Sequence, residues 1–571
     1  MKLPGRFPAW RLPDRIGWRD HLLGAGLGLA YVLWLLGTAR SLGFPRDEGV
    51  YFRAAESYVR WWRLLLMAPH EALKPSVIDG AWSYNSEHPP LMKTLFGVSW
   101  WFLHEQAHVF RDASTAFRLP AMASAGLAIW VTYVFGARAY GRAAGLAGAV
   151  LLGLMPRVFF HAHLACFDVP ITAMWILCVY AHWRAQAKPG IVRAVSVGVV
   201  FGLALATKHN AWVLPAVCVP HALFVHRRAM ARGLRSGRLV IPTSLVTMAL
   251  VGPAVMYALW PHLWNDPLGR AQAYMRFHLN HEYYNIEFLG RNYFSPPSPK
   301  SYLPVMVLAT VPTVTLVLAA LGMGERAKVG ALRLGQWARS RIGRALGEGP
   351  QADPTETDLL LALSLLAAIG PFFLPRTPIF GGTKHWMPAY PVLAIFAGRG
   401  FALVCKRAHS VLESRLGLFA RPWAADLALA LSVVLAPLAE TVHSHPFGLS
   451  AYVPLVGGTA GGADLGLNRQ FWGFTSQTAA SEYLNASAPP GASVFIHDTT
   501  WDAWSRMQQE SRVRADLRAV FSPGEADFAL VEHELHMNEV DYSAWVGIGT
   551  DAPTYVVLHD GVPIVSIYRR R

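Results

Sequence analysis

The chain has 571 residues, of which 53% are hydrophobic and only 15% are Asp, Glu, Lys or Arg. A soluble globular protein carries roughly 25% of these charged residues, so this composition excludes an ordinary soluble protein. The net charge of +15 is spread in short basic blocks between apolar segments, which argues against a nucleic-acid-binding surface. The four cysteines lie in or beside apolar stretches, without the spacing of a metal site or a disulfide framework.

Apolar stretches recur along most of the chain, and we predict about eleven transmembrane helices. The first begins after a basic N-terminus and is too long for a signal peptide, so we expect an uncleaved anchor. The predicted spans lie at roughly 21–42, 117–137, 143–160, 166–184, 191–207, 211–226, 240–262, 302–323, 358–374, 388–404 and 424–441.

Basic residues collect in alternate connections between these spans. The first such connection holds Arg138 and Arg142, and richer blocks follow at 227–238, 326–344 and 406–421. All of them fall on the side of the basic N-terminus, so the positive-inside rule predicts a cytoplasmic N-terminus. The C-terminal tail is then periplasmic or otherwise extracytoplasmic, and we expect a multi-pass protein of the cell (inner) membrane.

Two domains are predicted. Residues 1–441 form an α-helical polytopic transmembrane domain with long outer loops at 43–116 and 263–301. In the first loop, 49–66 and 91–102 are amphipathic and rich in Trp and Tyr, which is typical of helices in the membrane interface. Residues 442–571 are predicted as a small α/β domain, with helices at 475–484 and 501–510, strands at 493–496 and 528–531, and a hairpin at 555–568.

Ionisable residues near membrane depth are costly, and those that an apolar chain retains are candidates for function. Here they gather at the outer ends of helices and in the outer loops. A carboxylate at the membrane rim suits a general base, and cations around it suit an anionic lipid headgroup. The candidate residues are Asp47, Glu48, Glu87, His88, Asp168, Lys208, His209, Arg291, Lys384 and His385.

His161, His163 and Asp168 pose a separate question, because two histidines and an aspartate can ligate zinc. No further ligand or zinc-binding motif accompanies them. We therefore expect a polar network or a substrate contact there, and no metal or other cofactor. A divalent metal stays an alternative.

Several motifs in order resemble GT-C glycosyltransferases, specifically glycosyltransferase family 39, which includes protein O-mannosyltransferases and lipid A aminoarabinose transferases. The similar features are an Asp-Glu pair after the first span and a charged residue before Pro-Pro late in the first loop. Further features are an Asp-x-Pro that opens the fourth span, a Thr-Lys pair after the fifth, and a Gly-Gly-x-Lys-His-x-x-Pro-x-Tyr-Pro stretch before a late span. In this chain they are Asp47-Glu48, His88-Pro89-Pro90, Asp168-Val169-Pro170, Thr207-Lys208 and Gly381–Pro391.

The resemblance implies a GT-C fold and an inverting transfer of a sugar from a polyprenyl-phosphate donor. It implies that Asp47 is the base, with Glu48 and Glu87 shaping the pocket for sugar and acceptor and Asp168 in the same pocket. The lipid phosphate is expected on His88, Lys208 and Arg291. The acceptor is a protein, lipid or glycan outside the cytoplasm, and a nucleotide or catalytic metal is not expected.

This chain departs from the aminoarabinose transferases at two places. They have Lys where this chain has His88, and Pro-Arg where it has Gly49-Val50. Both differences argue against aminoarabinose transfer to lipid A. The alternatives are another GT-C polymerase or ligase, and a polytopic transporter or flippase. A transporter favours ionisable residues near the bilayer midplane and two related halves, which this sequence lacks.

Overall fold

The computed structural model describes residues 16–342, 355–377, 379, 382–416, 422–470, 472–473, 478–534 and 537–571. The first half of the chain is helical. Its helices are α1 (Trp18–Thr38), α2 (Arg46–Met67), α3 (Pro69–Ala72), α4 (Pro75–Trp82), α5 (Leu91–Trp100), α6 (Ala113–Tyr140), α7 (Arg142–Gly153), α8 (Pro156–Ala162), α9 (Asp168–Ala187), α10 (Ile191–Leu205), α11 (Pro215–Arg235), α12 (Thr243–Leu259) and α13 (Pro267–Leu279).

A short antiparallel hairpin then separates this half from the later helices and the sheet. The hairpin strands are β1 (Ile286–Phe288) and β2 (Arg291–Tyr293). The later helices are α14 (Tyr302–Thr310), α15 (Thr313–Ile342), α16 (Thr357–Ile369), α17 (Tyr390–Leu416) and α18 (Pro422–Ser444). The C-terminal elements are α19 (Gly458–Asp464), α20 (Thr478–Ser487), β3 (Ser493–Ile496), α21 (Trp501–Gln509), β4 (Arg518–Val520), β5 (Phe528–Glu532), α22 (Asn538–Ile548), β6 (Tyr555–His559) and β7 (Val562–Arg569).

Every predicted span coincides with a helix or a bent pair of helices. Within the described ranges, four helices are by themselves long and apolar enough to cross a membrane, and two bent pairs raise that number to six. Three shorter apolar helices, Ile191–Leu205, Thr243–Leu259 and Thr357–Phe373, lie at further predicted spans. The prediction of an α-helical polytopic membrane protein is confirmed, and the number of about eleven spans stays a prediction.

Both bent pairs have a proline at the break. α7 and α8 meet at 68°, and Pro156 is the first residue of α8. α14 and α15 meet at 117°, and Pro312 lies between them. A proline ring fixes φ and removes a backbone donor, so it ends one helix and begins the next. The predicted spans at 143–160 and 302–323 are therefore not single straight helices.

The C-terminal sheet has five strands in the order β4-β3-β5-β7-β6. β3 runs parallel to β4 and β5, whereas β7 is antiparallel to β5 and β6. The predicted strands, helices and hairpin of this region are found within a few residues of their expected bounds. Three elements went unpredicted, namely α19, α22 and the short edge strand β4. A strand of three residues carries little periodic signal.

This C-terminal part packs on the first outer loop. The closest approach is between α2 and α21, where a Cβ atom on Gly49 would collide with the backbone nitrogen of Ala503. Only glycine fits at that crossing without a shift of the backbone. Arg506 on α21 also forms an ion pair with Glu56 on α2. The two regions therefore share one core, which joins Phe52 and Phe96 to Trp504.

Candidate active site

One cavity, with a volume of about 840 Å³, collects most of the predicted site residues. Its wall includes residues of helices α2 and α9, the first outer loop, the residues after α10, the stretch before α17 and one residue of the C-terminal part. Of the ten candidates from the sequence, those on the wall are Asp47, Glu87, His88, Asp168, Lys208, His209, Lys384 and His385.

Asp47 lies in the first turn of α2, whose N-terminal amide groups favour a negative charge. Its Oδ2 accepts a hydrogen bond of 2.5 Å from Nε1 of Trp472. Its Oδ1 lies 3.5 Å from Nε of Arg46, and Arg46 is held in turn by Asp498 at 2.5 Å. With 32% of its side chain exposed, Asp47 is oriented by two neighbours yet open to the cavity.

Asp168 and Lys208 form a buried ion pair on another part of the wall. Nζ of Lys208 lies 2.6 Å from Oδ1 of Asp168, and both side chains are less than 10% exposed. Nδ1 of His161 is 3.9 Å from the other carboxylate oxygen. His163 instead contacts the Thr38 hydroxyl at 2.8 Å. The zinc ligand set considered from the sequence is therefore not assembled, because its two histidines face different partners.

A group of imidazoles lies beside Glu87. His278 contacts the backbone carbonyl of Glu87 at 2.9 Å and stacks on His209 with ring centroids 4.1 Å apart. Burial lowers the pKa of His88 and of His209 well below the usual histidine value, so both rings are neutral. In each, the buried Nδ1 has no hydrogen-bond partner within the described part of the chain.

Lys384 and His385 come from the short turn before α17. Nζ of Lys384 lies 3.9 Å from the centroid of the Trp472 ring, which is the distance of a cation–π contact. Burial lowers the pKa of Lys384, while the nearby charges of Asp47 and Asp168 act in the opposite direction. The preceding Gly381 of the sequence motif lies outside the described residues.

Two predicted site residues are not on the cavity wall. Glu48 is fully buried and faces Arg118, whose guanidinium donates to both of its carboxylate oxygens at 2.7 and 2.6 Å. The backbone N–H of Ala165 donates to Oε1 at 2.8 Å as well. Arg291 is exposed on β2, in the outer hairpin. The structure thus brings eight of the ten candidates together and places Glu48 and Arg291 elsewhere.

Residues 88–260 match the family model described as dolichyl-phosphate-mannose-protein mannosyltransferase. The matched stretch includes His88, Asp168 and Lys208 from the cavity wall. The chain is a GT-C-like membrane protein. The family 39 resemblance seen in the sequence motifs is therefore confirmed.

Solved structures similar to this GT-C-like protein include two glycosyltransferases. ArnT from Cupriavidus metallidurans, bound to undecaprenyl phosphate, is 17% identical, with 97% of this chain and 98% of that chain covered and a TM-score of 0.44. The archaeal oligosaccharyltransferase AglB from Archaeoglobus fulgidus, in complex with an inhibitory peptide and a dolichol-phosphate, is 11% identical. There 90% of this chain and 66% of that chain are covered, with a TM-score of 0.48. No curated protein matches the sequence significantly.

The cavity of the GT-C-like protein has a polar part and an apolar part. Asp47, Glu87 and Asp168 supply carboxylates, and Lys208 and Lys384 supply cations. Aromatic and aliphatic side chains of Trp212, Phe277, Ala368 and Phe372 form another portion of the wall. An arrangement of this kind suits a ligand with both an anionic head and an apolar chain.

Trp472 and His278 also belong to the site, although neither was predicted from the sequence. Trp472 contacts both Asp47 and Lys384, although it lies 425 positions after Asp47 in the chain. His278 on α13 bridges Glu87 and His209. Trp472 could not be predicted, because a single tryptophan in a predicted soluble tail carries no periodicity or motif.

Proposed function

We propose that this protein transfers a sugar from a polyprenyl-phosphate donor to an acceptor hydroxyl outside the cytoplasm, with inversion at the anomeric carbon. The observation that carries the proposal is the placement of Asp47, Lys208 and Lys384 around one cavity that also has an apolar wall. The match to the dolichyl-phosphate-mannose-protein mannosyltransferase family supports a lipid-linked donor.

In the proposed reaction Asp47 acts as the general base. It removes the proton from an acceptor hydroxyl while that oxygen attacks C1 of the donor sugar. The bond between C1 and the phosphate oxygen breaks, and its electron pair leaves with the polyprenyl phosphate. The N–H of Trp472 and the guanidinium of Arg46 orient the Asp47 carboxylate, so the base is in place before the substrates arrive.

The departing phosphate is proposed to contact Lys208 and Lys384. Lys208 is already paired with Asp168, so an incoming phosphate would share this cation rather than meet an isolated one. A second negative charge raises the pKa of a buried lysine, so donor binding would hold Lys384 in its charged form. His88 and His209 are neutral, and their imidazoles serve as hydrogen-bonding groups rather than as cations.

Glu87 is proposed to contact the sugar or the acceptor, and His385 to line the donor end of the cavity. For Glu48 we propose an indirect role, in which its pairing with Arg118 fixes the first turn of α2 and therefore Asp47. Arg291, on the outer hairpin, is a candidate contact for the acceptor.

The experiment that tests this function begins with cells that lack the protein. Mass spectrometry of their surface glycans, lipids and proteins should reveal one glycosylated species that is lost, and this identifies sugar and acceptor. Purified protein in liposomes should then convert the matching polyprenyl-phosphate sugar to polyprenyl phosphate, and the product should have the inverted anomeric configuration by NMR. A product of retained configuration, or no loss of any species, would contradict the proposal.

A further inference from the structure

A second cluster of ligand-type side chains lies away from the active-site cavity. Among the residues that the structure describes, His443, His559 and Asp560 bring three potential metal-binding atoms within 4.8 Å of one another. Nε2 of His443 is 2.7 Å from Oδ1 of Asp560, and Nε2 of His559 is 3.9 Å from Oδ2. Ligand atoms around a tetrahedral zinc ion are about 3.3 Å apart, so modest side-chain rotations would accommodate the ion.

Two separate elements hold these side chains. His443 is in the last turn of α18, whereas His559 ends β6 and Asp560 begins the turn of the β6–β7 hairpin. Asp560 and Gly561 have φ values of 51° and 77°, the left-handed pair that a tight two-residue hairpin requires. The ring of His559 stacks on Phe447 with centroids 4.8 Å apart. The hairpin ligands are thus positioned by the fold and not by a flexible loop.

Two buried polar atoms in and beside this cluster have no hydrogen-bond partner among the residues that the structure describes. One is Nε2 of His559, a residue only 7% exposed, and the other is Oε2 of Glu440. Buried polar groups are nearly always paired, so each such atom calls for an explanation.

Glu440 lies beside this cluster on α18, although its carboxylate is not among the ligand atoms that lie within 4.8 Å of one another. It lies three residues before His443, and residues at that spacing share one face of a helix. Glu440, His443 and Asp560 line one cavity of about 360 Å³, and no lysine or arginine is among the described residues of its wall. None of its described lining residues lines the active-site cavity.

We propose that His443, His559 and Asp560 bind a divalent transition-metal ion of the zinc class, and that rotation of the Glu440 side chain supplies a fourth ligand. Two imidazoles and two carboxylates favour zinc over calcium or magnesium, which prefer all-oxygen sites. The ion would connect the end of α18 to the C-terminal sheet across 117 positions of the chain. Its role is to fasten the C-terminal part to the helical part, and it is independent of the proposed sugar transfer.

The test uses the full-length protein in detergent, stripped with a chelator and titrated with zinc chloride. After gel filtration, mass spectrometry should find one zinc ion per chain, and cobalt substitution should give the visible spectrum of a tetrahedral site. His443→Gln should weaken zinc binding at least about tenfold, since even outer-shell changes cost this much. His443 has 65% of its side chain exposed, so this variant should fold.

His70→Gln is the matched control, because His70 is an exposed histidine on α3 outside the cluster. It should bind zinc like the wild type, while Asp560→Asn should behave like His443→Gln. Zinc should raise the midpoint of thermal unfolding of the wild type and of His70→Gln, but not that of His443→Gln or Asp560→Asn. No zinc bound to the wild type, or zinc retained in full by His443→Gln, would overturn the proposal.

Discussion

The guanidinium of Arg118 and the carboxylate of Glu48 are 1% and 0% exposed, respectively, and they form a two-point ion pair inside the protein. Removing one partner of such a pair leaves the other charge buried and unpaired, which costs about 3–5 kcal/mol. We therefore expect Glu48→Gln to lower the midpoint of thermal unfolding strongly. Activity per folded molecule should fall less than the yield of folded protein.

Circular dichroism and size-exclusion chromatography of the purified variant measure the folded fraction. Arg118→Gln serves as the reciprocal variant, and it should lose stability to a similar degree. A Glu48→Gln protein that folds like the wild type but transfers no sugar would instead assign Glu48 a direct catalytic role.

Trp472 offers a test of how the C-terminal part supports catalysis. Trp472→Phe removes the N–H donor to Asp47 but keeps an aromatic face for Lys384. A hydrogen bond to a charged group contributes about 1.5–3 kcal/mol, so the rate of transfer should fall about tenfold or more. The initial rate at saturating donor measures the effect.

Trp501→Phe is the control for this change, because Trp501 is 56% exposed and lies outside the cavity. It should transfer sugar at the wild-type rate. Equal rates for the two variants would remove Trp472 from the mechanism.

A buried carboxyl group in the C-terminal sheet makes the stability of the protein depend on pH. Glu532 at the end of β5 is fully buried, and burial raises its pKa well above the usual glutamate value. The folded state therefore holds a proton that the unfolded state releases. Stability is greatest below the usual glutamate pKa of about 4.3, and it is lost as the pH rises through the raised pKa.

Glu532→Gln should remove this dependence, because the amide is neutral at every pH. The free energy of unfolding of the wild type falls by at most about 1.4 kcal/mol per pH unit for one carboxyl group. The midpoint of thermal unfolding should be measured for both proteins between pH 5 and pH 9. The midpoint of the variant should exceed that of the wild type by a difference that grows with pH. A difference that stays constant would contradict the raised pKa of Glu532. Glu525→Gln, at an exposed residue of the same region, controls for the charge change.

The positions of many helices and strands could be predicted from the sequence. Apolar length located the spans, and alternation with a turn signal located the β6–β7 hairpin, because both signals are local. The same signals could not show which of Asp47 and Glu48 faces the cavity. Consecutive helical residues point about 100° apart, and only the packed structure shows that Asp47 faces the cavity while Glu48 faces Arg118.

The orientation of the protein in the membrane decides which side the proposed active site faces. The basic blocks predict a cytoplasmic N-terminus and an outward C-terminus. The four native cysteines are buried, so single added cysteines can report the side. A cysteine added after Arg571 should react with a membrane-impermeant maleimide on intact cells, whereas Arg235→Cys should react only after permeabilisation.

Labelling of the Arg235→Cys protein on intact cells would reverse the predicted orientation. If neither cysteine reacted on intact cells, both position 235 and the C-terminus would lie on the cytoplasmic side. Either result would move the proposed active site away from the extracytoplasmic face, because Asp47 and the C-terminal part lie on the same side through Trp472.

Sugar transfer by Asp47→Asn, measured beside Asp551→Asn, tests whether Asp47 is the general base. Asp551 is exposed in the C-terminal part and outside the cavity, so its variant controls for the loss of one carboxylate. Release of polyprenyl phosphate from the matching donor is the readout in liposomes. We predict no detectable transfer by Asp47→Asn and wild-type transfer by Asp551→Asn, with both proteins folded and inserted. Transfer by Asp47→Asn at the wild-type rate would contradict the account.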